Sequence, residues 1–379
     1  MQRRSFLKKA GLGLAAGAVA APAIAQTPAA GLPTVSWRMV GSWPKSLDTL
    51  FGGMEFISKR VAAATGGKFT IKVFAAGEIV GGLQVLDAVQ NGTVECGHTA
   101  TYYYFGKDPT FALNCAVPFG LNSRQQNAWM VHGGGMELIR DFYKGYNCTL
   151  FPCGNTGTQM GGWFRKEIKT VADLKGLKFR MGGYAGRVLT KLGVVPQQIA
   201  GGDIYPSLEK GTIDGAEWVG PYDDEKLGFY KVAKYYYYPG WWEPGTEIDL
   251  LVNLKAFDAL PKEYQAILES ACADANGWMM AKYDAENPAA LKRLLANGVQ
   301  LRSFSNAIMA ACYKATNEVN AESAASNPAF KKIYEAMSKF RSETVQWFSL
   351  AENTMSNFSV AAERLSQREG KAESAPKKK

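Results

Sequence analysis

One short pattern occurs twice in this chain: the end of a helix, a Gly-Thr step, then a brief apolar strand. The first copy reads Val89-Gln-Asn-Gly-Thr-Val-Glu-Cys96 and the second Leu208-Glu-Lys-Gly-Thr-Ile-Asp-Gly-Ala-Glu-Trp218. A glycine that stops a helix just before β-branched residues marks the turn of a β-α-β unit. Around the first copy the periodicity predicts a strand Val35–Val40, a helix from about Leu47 to Ala64, a strand Phe69–Phe74, a helix from about Leu83 to Gln90 and a strand from Thr93. Around the second it predicts a strand Thr158–Phe164, a capped turn at Thr170-Val-Ala-Asp173 and a strand Leu177–Arg180. Helices follow near Ala185–Leu192 and Tyr205–Lys210, then a strand at Thr212-Ile213. Two such units make an α/β fold of two lobes, with parallel strands whose ends face a shared cleft. From Pro261 onward the chain reads as helical, through Lys262–Tyr283, Pro288–Leu295, Asn306–Ala324 and Pro328–Ala362.

The first 25 residues are set apart from this fold. Arg3-Arg4 and Lys8-Lys9 precede an Ala/Gly/Leu segment, and Ala23-Ile-Ala25 forms a small-x-small cleavage site before Gln26. That is a twin-arginine export signal, too short and Gly-rich for a spanning helix. The formal charge of +9 owes four units to this segment and three to Lys377–Lys379, leaving +2 for the body. No basic run interleaved with aromatics remains, so nucleic acid is excluded as a partner. The six cysteines show no CxxC and no CxxCH, against haem attachment and Cys-rich zinc sites, and are expected to be mostly buried free thiols. Catalytic signatures are missing as well. His132-Gly-Gly-Gly135 lacks a G-x-S-x-G elbow, and Ser42-Trp-Pro-Lys45 lacks the companion motifs of an S-x-x-K enzyme.

Glu217-Trp218 stands at a strand exit, where α/β proteins place ligand chemistry. It comes with an ordered set of segments: Gly157-Thr-Gln-Met-Gly-Gly-Trp-Phe-Arg165, Leu177-Lys-Phe-Arg-Met-Gly-Gly183, Gly201-Gly-Asp-Ile-Tyr-Pro206 and Tyr235-Tyr-Tyr-Tyr-Pro-Gly-Trp-Trp-Glu243. Together they resemble the periplasmic solute-binding subunits of TRAP transporters (the DctP type), in particular the 2-oxo acid-binding branch, over about Val35 to Phe358. The resemblance implies a two-lobed periplasmic-binding-protein fold that closes on an organic acid and delivers it to a membrane permease. It divides the chain into lobe 1 (34–153 with about 247–290), lobe 2 (154–246 with about 291–326), C-terminal helices (327–362) and a disordered tail (363–379). It also implies a homodimer built from those C-terminal helices. Hinge strands are expected near Cys148–Asn155 and Thr246–Asn253.

A 2-oxo acid offers a carboxylate and an adjacent carbonyl oxygen, a chelating pair for a cation. Its carboxylate suits the planar two-donor face of a guanidinium, here Arg180, which precedes Gly182-Gly183, a pair that lets the backbone approach a ligand. Gln159, Glu217 and the Trp218 carbonyl are the oxygen donors that the resemblance assigns to the cation. Hard oxygen donors favour sodium, with calcium as the alternative. Ligand, cation, Glu217 and Arg180 then sum to zero charge, as a closed cleft requires. Trp218, Trp241, Trp242 and Tyr102–Tyr104 are expected as aromatic walls, with Tyr103 among the ligand contacts. Glu243 is expected to bond the ligand or orient a neighbour, and Asn155 to line the pocket near the hinge. The alternatives are a 2-hydroxy acid such as lactate held with calcium, or an exported enzyme acting on an organic acid.

Overall fold

A computed structural model describes residues 31–373; the export signal lies outside the described residues. The chain opens with β1 (Val35–Gly41), α1 (Leu50–Ala64), β2 (Phe69–Phe74), α2 (Val85–Gln90) and β3 (Cys96–Thr99). β1 pairs in parallel with both β2 and β3. A 3-10 turn, Thr101–Tyr104, leaves β3, and α3 (Ser123–His132) and α4 (Gly135–Lys144) lead to β4 (Cys148–Asn155). A reciprocal capping box of Asn122 and Gln125 starts α3.

The chain then crosses to a second sheet. Its strands are β5 (Trp163–Phe164), β6 (Lys178–Arg180), β7 (Val195–Gln197), β8 (Gly215–Ala216) and β9 (Tyr235–Tyr238). Between them lie α5 (Ala185–Lys191), α6 (Gly201–Lys210) and α7 (Pro221–Leu227). β10 (Glu247–Asn253) returns to the first sheet and runs antiparallel between β3 and β4. The short α8 (Leu254–Asp258) and the 35-residue α9 (Lys262–Ala296) follow. β11 (Gln300–Ser303) closes the second sheet, and α10 (Asn306–Ser326), α11 (Pro328–Phe348) and α12 (Thr354–Glu373) end the described chain. The strand orders are β2-β1-β3-β10-β4 and β11-β9-β5-β8-β6-β7.

Both repeated turns behave as their sequence demands. Gly92 and Gly211 take φ of +70° and +74°, where a side chain would be strained. Several expectations need correction. The sheets are mixed, not parallel, because β10 inserts antiparallel and β5 runs antiparallel to both neighbours. The strand expected over Thr158–Phe164 shrinks to two residues. Gly161 and Gly162 carry the chain flat against its neighbours, where a Cβ on Gly162 would meet the Ala216 carbonyl oxygen at 2.8 Å. The final strand of the second unit starts at Gly215 because Asp214 is held in the turn, its carboxylate accepting the Lys178 N–H at 2.9 Å. Lys262–Tyr283 and Pro288–Leu295 are one helix, with Pro288 inside it. The tail expected to be disordered from residue 363 is helical as far as Glu373. All six cysteines are free and buried.

Candidate functional site

The site gathers where the loop after β4, the end of β6 and the exit of β8 meet. The Met160 N–H donates to the Val219 carbonyl at 2.9 Å, which lays the Gln159 loop beside Glu217–Val219. From the end of β6 the Arg180 carbonyl accepts the Glu217 N–H at 3.2 Å. These backbone bonds bring Gln159, Arg180, Glu217 and Trp218 together.

Arg180 and Glu217 form a buried ion pair, 1% and 0% exposed. Each uses one arm on the other and leaves one arm unbonded. Arg180 Nη1 donates to Glu217 Oε1, and to the Glu217 main-chain oxygen at 3.0 Å, while Nε donates to the Ile199 carbonyl at 3.1 Å. The Gly182 N–H adds a second donor to Glu217 Oε1 at 2.8 Å. Arg180 Nη2 and Glu217 Oε2 stay buried without a partner, and so does Gln159 Oε1. The Gln159 amide is oriented by its NH2, which donates to the hydroxyls of Thr156 (3.2 Å) and Thr246 (3.0 Å). One unpaired cationic donor and two unpaired oxygen acceptors, all desolvated, suit an anion and a cation bound together. Among the described residues no group of three or more His, Cys, Asp or Glu could hold a metal ion. An ion here would therefore be held by one carboxylate, an amide oxygen and a main-chain carbonyl, which suits a hard cation.

Burial pushes the Glu217 carboxyl up and the Arg180 guanidinium draws it back. Burial opposes the charge on Arg180, but Glu217 and the nearby tyrosines hold its pKa above the ordinary value. The Arg180 guanidinium also lies 5.0 Å over the Trp218 ring. Glu243 is placed by its carbonyl, which accepts the Gln159 N–H at 3.1 Å. Its Oε2 accepts from Thr246 (2.8 Å) and Tyr102 (3.3 Å), and its Oε1 is unpartnered. Burial, reinforced by the charge of Glu217, pushes this carboxyl well above the usual range.

A small cavity is lined by Gln159, Trp218, Tyr102, Tyr103 and also Trp43 and Thr246. Tyr102 covers the glycine pair: a Cβ on Gly183 would lie 2.5 Å from its ring. The glycines expected to admit a ligand thus admit an aromatic ring from the first lobe. Trp43 makes an edge contact with Trp218 across the cleft (6.2 Å), and its indole N–H donates to His98 Nδ1 at 2.7 Å. Burial holds His98 neutral, its pKa lowered to about 3. Trp43 was not singled out from sequence, although it follows the exit of β1 as Trp218 follows that of β8.

Two groups of expected residues are absent from the lining of this cavity. Trp241 and Trp242 line an apolar void with Phe179 and Phe304 of the second lobe, and Trp241 stacks on Phe119 of the first. The Asn155 amide is engaged by backbone on both sides, accepting the Gly157 N–H (2.9 Å) and donating to the Gly245 carbonyl (3.3 Å), so it shapes the crossover.

Residues 40–327 match the family described as bacterial extracellular solute-binding protein, family 7. The chain is 52% identical over 365 residues to the monocarboxylate 2-oxoacid-binding periplasmic protein of Nostoc sp., spanning 96% of this chain and 100% of that one. Among solved structures, a TRAP transporter solute-binding protein from Bordetella bronchiseptica aligns with a TM-score of 0.87 at 53% identity, over 88% of this chain and 99% of that one. It is a mixed-occupancy dimer, with copurified calcium and picolinate in one active site and the other site apo. A TRAP periplasmic solute-binding protein from Pseudoalteromonas atlantica, with bound sodium and pyruvate, aligns with a TM-score of 0.83 at 40% identity, over 86% and 99%. A two-lobed α/β fold, a desolvated cluster suited to an ion and a small acid, and a family match over most of the chain agree: this protein belongs to the bacterial extracellular solute-binding proteins of family 7, which are receptors and not enzymes.

Proposed function

We propose that this chain is the periplasmic substrate-binding subunit of a TRAP transporter and binds a small monocarboxylate 2-oxo acid, such as pyruvate, together with a cation. The observation that carries this reading is the set of unpartnered atoms on a buried, already neutral ion pair. Arg180 Nη2 is the donor for the ligand carboxylate, and Glu217 Oε2 and Gln159 Oε1 are oxygen donors to the cation. The Trp218 main-chain carbonyl completes that donor set. An acid of charge −1 and a monovalent cation enter as a neutral pair, so the buried site gains no net charge. The bound ion would supply a fixed positive charge toward the carboxylate and carbonyl oxygens of the acid. The Glu243 carboxyl and the Tyr103 hydroxyl supply polar contacts, and the aromatic walls exclude water.

Sodium is the first choice of cation. Calcium is the second, favoured by the calcium found with picolinate in the Bordetella bronchiseptica protein. Closure takes place by hinging at the paired strands β4 and β10, where two of the three crossings between sheets lie. The lobes comprise 34–153 with about 247–290, and 154–246 with about 291–326. Delivery is to the membrane subunits of the transporter, after export by the twin-arginine route. A homodimer forms through the C-terminal helices, where Trp347, Leu350, Met355 and Phe358 are each more than 60% exposed.

Calorimetric titration with pyruvate, longer 2-oxo acids and lactate, each in sodium, calcium or potassium buffer, tests this reading. Saturable, cation-dependent binding of 2-oxo acids without turnover is expected. A preference for lactate in calcium would replace the 2-oxo acid by its 2-hydroxy analogue, and conversion of the acid would overturn the receptor reading.

A further inference from the structure

Outside the ligand cavity, one pair of neighbouring residues in the first lobe grips one helix of the second. Asp48 and Thr49 immediately precede α1. A threonine at a helix N-cap ordinarily turns its hydroxyl to its own helix. Thr49 makes no such side-chain cap. Its hydroxyl instead donates to Asp223 Oδ1 on α7 at 2.7 Å, and the Tyr283 hydroxyl of α9 donates to Asp223 Oδ2, also at 2.7 Å. Thr49 and Asp223 are fully buried, as is Tyr283. Beside this junction Asp48 accepts from Tyr222 (3.0 Å), from Lys226 and from Lys282 (2.8 Å). Lys226 lies 3.7 Å over the Tyr222 ring.

The helix held this way begins three residues after Trp218. The next residue, Asp224, faces into its own lobe. It accepts the Val219 N–H at 3.2 Å, the Trp163 indole N–H at 2.9 Å and the Tyr236 hydroxyl at 2.7 Å. The two aspartates therefore have opposite duties. Asp224 fixes the Glu217–Val219 segment within the second lobe, and Asp223 fastens that lobe to the first.

We propose that Asp48, Thr49 and Asp223 form a closure latch that positions Glu217 and Trp218 and retards release of the bound acid without touching it. The latch rests on the receptor reading for its biological role, but its geometry does not depend on which acid binds. None of its members lines the ligand cavity. Its bonds run between lobes, so they are made on closing and broken on opening. Latch variants should therefore change dissociation and leave encounter alone.

The test uses the full mature chain, pyruvate in sodium buffer and stopped-flow tryptophan fluorescence. Thr49→Val keeps the shape and removes the hydroxyl. It should speed dissociation about tenfold or more, the usual cost of unpairing a buried charged acceptor, with association within about twofold of the parent. Asp48→Ala, at a half-exposed site, should speed it only a few-fold, and the difference from the parent should vanish at high salt. Dissociation unchanged in both folded variants would overturn the latch. Spin labels at Lys59 on α1 and Lys210 on α6 read the interlobe distance without any ligand. Thr49→Val should shift that distribution to longer distances even if pyruvate does not bind at all. That outcome would sink the receptor reading and keep the latch, whereas a distribution and release rate matching the parent would sink the latch alone.

Discussion

The two walls of the cleft are built from different chemistry. The first lobe contributes Trp43, Leu50, Ala100, Tyr102 and Tyr103, with no formal charge among them. The second contributes Trp218 and Val219, with Thr156 and Gln159 from the crossover, and the buried Arg180–Glu217 ion pair lies beside the Trp218 ring. A charged wall in an open cleft is hydrated and binds small ions weakly. The aromatic wall, once closed over it, removes that water and strengthens the same contacts. On the proposed reading the second lobe decides what is bound, and the first decides how tightly it is held.

Breaking the charged wall should have the largest effect. Arg180→Ala is expected to abolish binding of the acid, read by calorimetry, and affinity near that of the parent would remove the carboxylate assignment. Because the change strands Glu217 as an unpaired buried charge, a cost of about 3–5 kcal/mol, Arg180→Lys belongs beside it. The lysine keeps the charge but loses the second arm, and should still weaken binding by at least about tenfold. Glu217→Gln keeps the shape and removes the negative charge. Binding should weaken and lose much of its dependence on sodium, so an unchanged sodium titration would refute the cation assignment.

The aromatic wall is expected to yield smaller losses. Gly183 takes φ of +62°, and a Cβ there would collide with Tyr102. Gly183→Ala should hold the lobes apart and raise the dissociation rate, while the charged groups of the second lobe stay in place. Equal rates for variant and parent would show that Tyr102 does not seal the cleft.

The smallest effect concerns pH. Burial raises the carboxyls of Asp223, Asp224 and Asp249 from the ordinary 3.8 to about 6, 7 and 8. Each binds its proton more tightly in the folded chain than in the unfolded one. Between about pH 4 and pH 8 the folded state therefore holds more protons, and these groups make stability fall as pH rises. Asp48 has the opposite sign. Burial raises it, but the bonds from Lys226, Lys282 and Tyr222 outweigh that and hold it at about 2. Its contribution is present above 3.8 and fades only as pH falls toward 2. Calorimetric melting should thus give a lower Tm at about pH 8 than at about pH 5, and a rising Tm would contradict the assignment.

What the sequence made legible was local. The two helix-Gly-Thr turns, the strand ends bearing Arg180 and Glu217, and the absence of catalytic motifs all follow from short-range pattern. The placement of β10 between β3 and β4 did not, because pairing between residues about 100 positions apart leaves no local trace. The same limit explains Trp241 and Trp242. Their sequence neighbours suggested a pocket, yet packing against Phe119 and Phe179 decides where the rings go. Gly182-Gly183 was recognisable as a close approach, but which group approaches is a tertiary fact. Nothing local in the sequence marked Asp223, and its bond from Thr49 in the other lobe was invisible for the same reason.

The six buried thiols bear on the order of events in the life of this chain. Burial raises the pKa of Cys96, Cys153 and Cys272, which disfavours the thiolate needed for exchange. That protection exists only after folding. A chain that met an oxidising compartment while still extended would expose all six, free to pair at random. A chain that matures first and travels afterwards would expose none. The proposed twin-arginine route and the unpaired cysteines therefore favour the same sequence of steps, maturation before passage.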